Sequence, residues 1–139
     1  MKNERELGKD VCKLYLNGIN DPCSSSHMEV ALSEFLVQGL EIDYAVVLWD
    51  ADFRSVENGW EQYYCAAGKW KHNNDAEKVR HQFNAYRVLL TRSRDGMVIV
   101  VPTGDTIHSG GFIDKTRLPE FYDGTYEYLK SLGIEELPE

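Results

Sequence analysis

Two strings, VQGLEID at residues 37–43 and YRVLLTRSRDGMVIVVP at residues 86–102, constrain this chain more than anything else in it. Each leads into an apolar run, YAVVLW at 44–49 and MVIVV at 97–101. Runs of that length between charged residues have the pattern of parallel strands covered on both faces. Pro102 stops the second run, because proline has no N–H for the ladder. Between the two, Val79, Phe83, Tyr86, Leu89 and Leu90 recur every three or four positions, which predicts a helix over 74–90 with one face against a sheet. Strand, helix and strand in that order predict an α/β domain, a mainly parallel sheet flanked by helices.

The remaining segments fit around this unit. A chain of 139 residues is expected to form a single domain and to bury about 68% of its unfolded surface. Residues 1–27 form an N-terminal segment of open assignment: 4–16 suit either one helix or a helix followed by a short strand, and turns follow at Asn17-Gly18 and Asn20-Asp21-Pro22. The main domain region is expected over 28–133. It opens with a short strand at 28–32 and a loop or single turn at 33–40. WEQYYCAAGKWK at 60–71 reads as an inserted β-hairpin turning at Ala67-Gly68. Asn74 is expected to cap the central helix, with Glu77 reciprocating. Residues 103–113 form a glycine-rich loop holding His108. A last helix over 119–132 begins at Pro119 and ends at Gly133, with Phe121, Tyr122, Thr125, Tyr126, Leu129 and Leu132 as its inner stripe.

Composition narrows the classes of function. Apolar residues make up 42% and charged residues 27%, and no apolar run approaches the ~20 residues that cross a bilayer. With a polar, charged start, MKNERELGKD, the chain is expected to be cytoplasmic, without a membrane partner. Cys12, Cys23 and Cys65 suit neither a disulfide framework nor a zinc pattern, and His27, His72, His81 and His108 lack ligand spacing, so no metal site is predicted. A net charge of −8 opposes generic polyanion binding. Seven of the fifteen basic residues nevertheless fall between Lys69 and Arg94, where a solvated helix face is the simplest account.

The two strings also carry chemistry. Gly39 lets backbone approach a ligand where a side chain would obstruct it, and Glu41 offers a carboxylate to ribose hydroxyls. The same pattern is that of a helix-to-strand turn ending in a solvated glutamate. Arg92 and Arg94 follow a helix C-terminus, where positive charge is favoured by the dipole; equally, a guanidinium is a rigid, permanently charged fork suited to phosphate. No GxxxxGK[ST] loop occurs; the nearest scraps are Gly8-Lys9-Asp10 and Gly68-Lys69-Trp70. Ser24-Ser25-Ser26-His27 lacks the context of a hydrolase nucleophile. Asp50 and Asp52, with Glu57 or Glu61, leave open a Mg²⁺-dependent nuclease.

Joined in order, VQGLEID, YAVVLWDADF and NAYRVLLTRSRDGMVIVVP resemble motifs V and VI of superfamily 1 helicases, in the wider P-loop NTPase superfamily. They look most like the C-terminal part of the Schlafen group 3-like DNA/RNA helicase domain family. That likeness runs over residues 29–133 and takes in LPEFYDGTYEYLKSLG at 118–133.

The resemblance implies a second RecA-like domain in an ATP-binding enzyme that acts on nucleic acid. It gives Glu41 the ribose contact and Arg92 the catalytic reach to the γ-phosphate, with Gln38 and Gly39 lining the same loop. Arg87 and Arg94 become candidates for phosphate or nucleic-acid contact. Ser93 stands where alanine is usual, a change expected to be neutral. Family members are longer, with a first RecA-like domain that carries the phosphate loop and the magnesium site. The chain is thus expected to be a separated second half, inactive toward ATP alone. It would bind ATP only with a partner domain that also supplies Mg²⁺, and DNA or RNA only within a complete helicase. The alternative from another class is a non-catalytic interaction module, which could self-associate into a homo-oligomer.

Overall fold

The structure, a computed structural model, describes residues 14–21, 24–28, 30–106 and 111–138. The chain divides into two compact units, Met1–Leu40 and Glu41–Glu139.

In the first unit residues 14–16 are helical, and Ser25–His27 form one 3-10 turn with Ser24 Oγ accepting the Ser26 N–H at 3.3 Å. The strand expected at 28–32 is not there among the described residues. Met28 ends the 3-10 turn with a φ of 54°, a left-handed backbone incompatible with strand. Residues 33–40 do turn: the N–H of Leu36 reaches Ser33 O at 3.0 Å and that of Leu40 reaches Val37 O at 3.1 Å. Most of segment 4–16, expected as one helix or as a helix followed by a short strand, lies outside the described residues, as do Cys12, Cys23 and His108.

In the second unit β1 (Ile42–Leu48) pairs in parallel with β5 (Ser93–Val100), as the apolar runs require. A separate antiparallel meander joins β2 (Phe53–Val56), β3 (Gly59–Ala66) and β4 (Lys69–His72). The fold is therefore mixed α/β, but the expectation of a mainly parallel sheet is corrected, because most of the pairing is antiparallel. The expected hairpin is β3–β4. Ala67 and Gly68 take φ of 51° and 70°, the doubly left-handed turn whose twist suits two antiparallel strands. The third strand, β2, is too short and polar to declare itself in FRSV.

Helix α1 (Ala76–Leu89) begins one residue later than expected, and its cap is Asp75 rather than Asn74. Asp75 Oδ1 accepts the N–H of Glu77 at 3.0 Å and of Lys78 at 3.3 Å. Glu77 thereby falls too early in the helix for the reciprocal box. Tyr86 of α1 joins Trp49 and Phe53 in an aromatic core, with ring centroids 4.7 and 4.8 Å away, and Trp60, Ile99 and Val101 pack around them.

That core covers only one face of the parallel pair. Val47 and Trp49 are buried, while Tyr44, Val46 and Leu48 are 73%, 46% and 63% exposed. The expectation of two covered faces is corrected: among the described residues of this unit, α1 and the meander pack on one side, and the alternating side chains point away from them.

The C-terminal segment opens with a 3-10 turn at Pro119–Phe121, followed by α2 (Asp123–Ser131); Gly133 then takes a φ of 82°, the left-handed stop read from the sequence. Tyr122 and Thr125 of the expected stripe are buried, but Tyr126 and Leu132 are exposed. Tyr128 instead meets Trp60 edge-on at 5.1 Å.

Candidate functional site

The two sequence motifs enter the fold at equivalent places. Glu41 immediately precedes β1 and Arg92 immediately precedes β5. The N–H of Ile42 donates to the carbonyl of Arg92 at 3.1 Å, and Ile42 stands opposite Ser93 in the register. Parallel pairing thus sets the two strand entries side by side on one rim. Glu41 is exposed and Arg92 half-buried.

The rim is held from behind by the end of α1. Leu90 closes the helix, its N–H reaching Tyr86 O at 2.9 Å, and the Thr91 hydroxyl donates to Arg87 O at 2.8 Å. A threonine that satisfies a last-turn carbonyl in this way fixes where the next residue, Arg92, leaves the helix. Just inside the rim the pairing slips, with one residue between Ile42 and Tyr44 facing two between Ser93 and Gly96.

The other candidates separate. Arg94 forms an ion pair with Asp43 at 3.0 Å, both side chains more than 60% exposed; its charge is already answered, and such a surface pair contributes about 0–1 kcal/mol. Arg87 is exposed in the last turn of α1, where it complements the helix dipole. Gln38 and Gly39 lie in the first unit, both exposed, in the turn that closes on Leu40. Gly39 has a φ of 86°, and a Cβ there would meet nothing within 4 Å. Its glycine answers a left-handed backbone, not crowding by the protein itself.

Two polar clusters escaped the sequence reading. Arg54 is buried on the meander, its guanidinium 4.0 Å over the Tyr63 ring and 3.7 Å over that of Phe121. Its Nε–H donates to Ala51 O at 2.6 Å, and its Nη2 has no hydrogen-bond partner among the described residues. Hairpin register, which sequence alone does not give, brings Arg54 and Tyr63 onto one face. The second cluster centres on Asp52, which accepts from Tyr86 Oη at 2.5 Å and from Gln82 Nε2 at 2.8 Å. Burial raises its carboxyl above the ordinary range; the two hydrogen bonds pull the other way, and the nearby Asp50 adds to the rise. Asp52 is thus occupied in joining α1 to β2. Among the described residues no group of three or more His, Cys, Asp or Glu is arranged to hold a metal.

A family model described as Schlafen group 3, DNA/RNA helicase domain, matches residues 18–103. The chain belongs to this family. The matched span takes in both motifs, the meander and all of α1, and it stops short of the C-terminal segment that the sequence likeness also included. No curated protein and no solved structure matches the chain. Membership in the Schlafen group 3 family makes this a helicase-like domain. No helix among the described residues is long and apolar enough to cross a membrane.

Proposed function

We propose that this chain is the second, RecA-like lobe of a helicase-like NTPase. It would lend a ribose contact from Glu41 and an arginine finger from Arg92 to a nucleotide cleft that a first lobe completes. The observation that carries the proposal is the hydrogen bond from Ile42 N–H to Arg92 O at 3.1 Å, because it joins the two motifs at one rim of the parallel pair.

The donor set fits one side of ATP. An exposed carboxylate accepts from ribose hydroxyls, and a guanidinium supplies charge-assisted hydrogen bonds to phosphate oxygens. ATP, when bound, supplies the phosphoanhydride; the role of Arg92 is to face charge that develops on the terminal phosphate. The first lobe would supply the lysine, the backbone cradle and the Mg²⁺ carboxylates that phosphoryl transfer requires. DNA or RNA would be engaged only by the complete helicase.

Turnover tests this. The pure chain is expected to release no phosphate from ATP. Mixed with a first lobe that carries a GKS or GKT loop, it should restore turnover, and Arg92→Ala should remove about 10³- to 10⁵-fold of it. Turnover by the chain alone that disappears with Arg92→Ala would contradict the proposal.

The uncovered face of the parallel pair favours a second reading, a non-catalytic module that uses Tyr44, Val46 and Leu48 to grip another protein or a second copy. Light scattering and pull-down separate the two: a strict monomer that captures nothing counts against the module.

A further inference from the structure

We propose that the cavity between the β3–β4 hairpin and the first turn of α1 holds a phosphate group, bound by Asn73, Lys78 and Tyr64. The cavity measures about 370 Å³ and is lined by Tyr64, His72, Asn73, Asn74, Asp75 and Lys78, a volume within the range of small-ligand sites. Asn73 is the decisive residue. It is only 7% exposed, yet it lines the cavity. Its backbone N–H donates to Gln62 O at 2.8 Å and its Oδ1 accepts the Asp75 N–H at 3.4 Å, which anchors the carboxamide between hairpin and helix. Nδ2 has no hydrogen-bond partner among the described residues, and it is not one of the polar atoms sealed from the surface. An anchored amide with its N–H groups free therefore opens into the cavity. Buried donors are normally answered, and only a group that enters the cavity can answer this one.

The other groups of the lining select an anion. The Lys78 side chain is 73% exposed and reaches only Asp75 Oδ2, at 3.9 Å, the outer limit of an ion pair. Asp75 is the one carboxylate of the lining, and its Oδ1 is taken up by the N–H groups of Glu77 and Lys78. The Tyr64 hydroxyl makes no hydrogen bond among the described residues. Tyr64 also stands opposite Lys71 in the hairpin register, so that lysine shares its face. His72 and Asn74 complete the wall by bonding to each other, Nδ1–H to Oδ1 at 2.8 Å. Donors from β3, from the link after β4 and from α1 thus line one cavity, and one of them is a cation. Phosphate presents several acceptor oxygens to such a set, and hydrogen bonds from a charged donor are roughly twice as strong as neutral ones. Lys78 lies in the first turn of α1 and Arg92 beyond its last, about 20 Å along the axis, so this site goes beyond the proposed cleft and stands without it. One such contact does not hold a strand by itself, and engagement of DNA or RNA still awaits the complete helicase.

NMR titration of the isotope-labelled full chain with inorganic phosphate, AMP, adenosine and a short oligothymidylate, at constant ionic strength, tests it. Phosphate and AMP at millimolar concentration should shift the backbone amides of residues 73–78 saturably, and adenosine should not. Asn73→Asp keeps the shape and the Oδ1 acceptor but replaces the N–H donors with negative charge, and should weaken phosphate about tenfold or more. Lys78→Gln, an exposed change, should weaken it about 3- to 10-fold. Both variants are checked for unchanged spectra elsewhere, and where Asn73→Asp perturbs the fold, Lys78→Gln alone decides. No saturable shift with any phosphate-bearing ligand overturns the site, as does adenosine acting as strongly as AMP, which would make the base the ligand. Unchanged affinity in the variants overturns it too; if that binding disappears with Arg92→Ala, the phosphate sits at the rim, and the proposed cleft gains the support this site loses. The tightest of phosphate, AMP and oligothymidylate at these signals identifies whether the group is free, on a mononucleotide or in a strand.

Discussion

Thr125 Oγ1 accepts the backbone N–H of Ser55 at 3.1 Å, seventy residues away, and so closes the free edge of β2 with a helix. Gly124 makes that approach feasible: a Cβ there would fall 2.3 Å from the Ser55 carbonyl oxygen. An open strand edge invites pairing with other chains, and α2 removes that opportunity for the meander.

Gly124→Ala should therefore destabilise the fold by about 1–3 kcal/mol, because the new methyl meets backbone that has little room to yield. Thr125→Val keeps the volume but strands the Ser55 N–H, and should cost about 1–3 kcal/mol. Urea unfolding of each variant measures both. The two effects should be far from additive, since they act on one contact.

The guanidinium of Arg54 leads to a less intuitive expectation. It is held by ring faces and one carbonyl, its burial lowers its pKa, and one of its nitrogens has no hydrogen-bond partner among the described residues. Arg54→Met should change stability by less than about 1.5 kcal/mol, because an apolar side chain fills the slot without a buried charge. Arg54→Lys retains the charge, loses the flat stacking surface and should cost about 2 kcal/mol or more. Thermal or urea unfolding that ranks lysine above methionine would contradict this account of the cage.

Asp52 gives a pH dependence with a definite sign. Burial raises its folded-state pKa above the ordinary 3.8, so the folded chain holds the proton more tightly than the unfolded chain. That contribution is fully present below the unfolded value and is lost as pH rises through the folded one. Relative to wild type, Asp52→Asn should therefore gain stability as pH rises from the unfolded carboxyl value through the raised folded-state value. Comparing the two proteins at each pH cancels the other titrating groups. A difference that is flat with pH would mean that Asp52 ionises as freely folded as unfolded.

Local signals in the sequence mapped onto local structure. YAVVLW and MVIVV became a parallel pair, Ala67-Gly68 became a hairpin turn, and Gly133 ended the last helix. The failures arose where a neighbour decides. An apolar run states that a strand can be buried on both faces, but not that a second layer arrives; Tyr44, Val46 and Leu48 have the composition of a core and the exposure of a surface. Asn74 and Asp75 are both good caps, and only the backbone at Asp75 chose between them. FRSV carried no strand signal because its partners, in β3 and α2, lie elsewhere in the chain. The two motifs were legible as strings, whereas the adjacency of Glu41 and Arg92 depended on parallel register.

The most direct test of that adjacency as a nucleotide site is a comparison of ligands bound by the chain together with a first lobe. Affinities for ATP, ADP and 2′,3′-dideoxy-ATP would be measured for wild type, Glu41→Ala and Arg92→Ala. Arg92→Ala is expected to weaken ATP while leaving ADP unchanged. Glu41→Ala is expected to weaken ATP and ADP equally and to abolish the preference for ATP over its dideoxy analogue. Loss of one charge-assisted contact corresponds to about a tenfold change or more. Unchanged affinities for all three ligands in both variants would show that Glu41 and Arg92 are neighbours on a rim that binds no nucleotide.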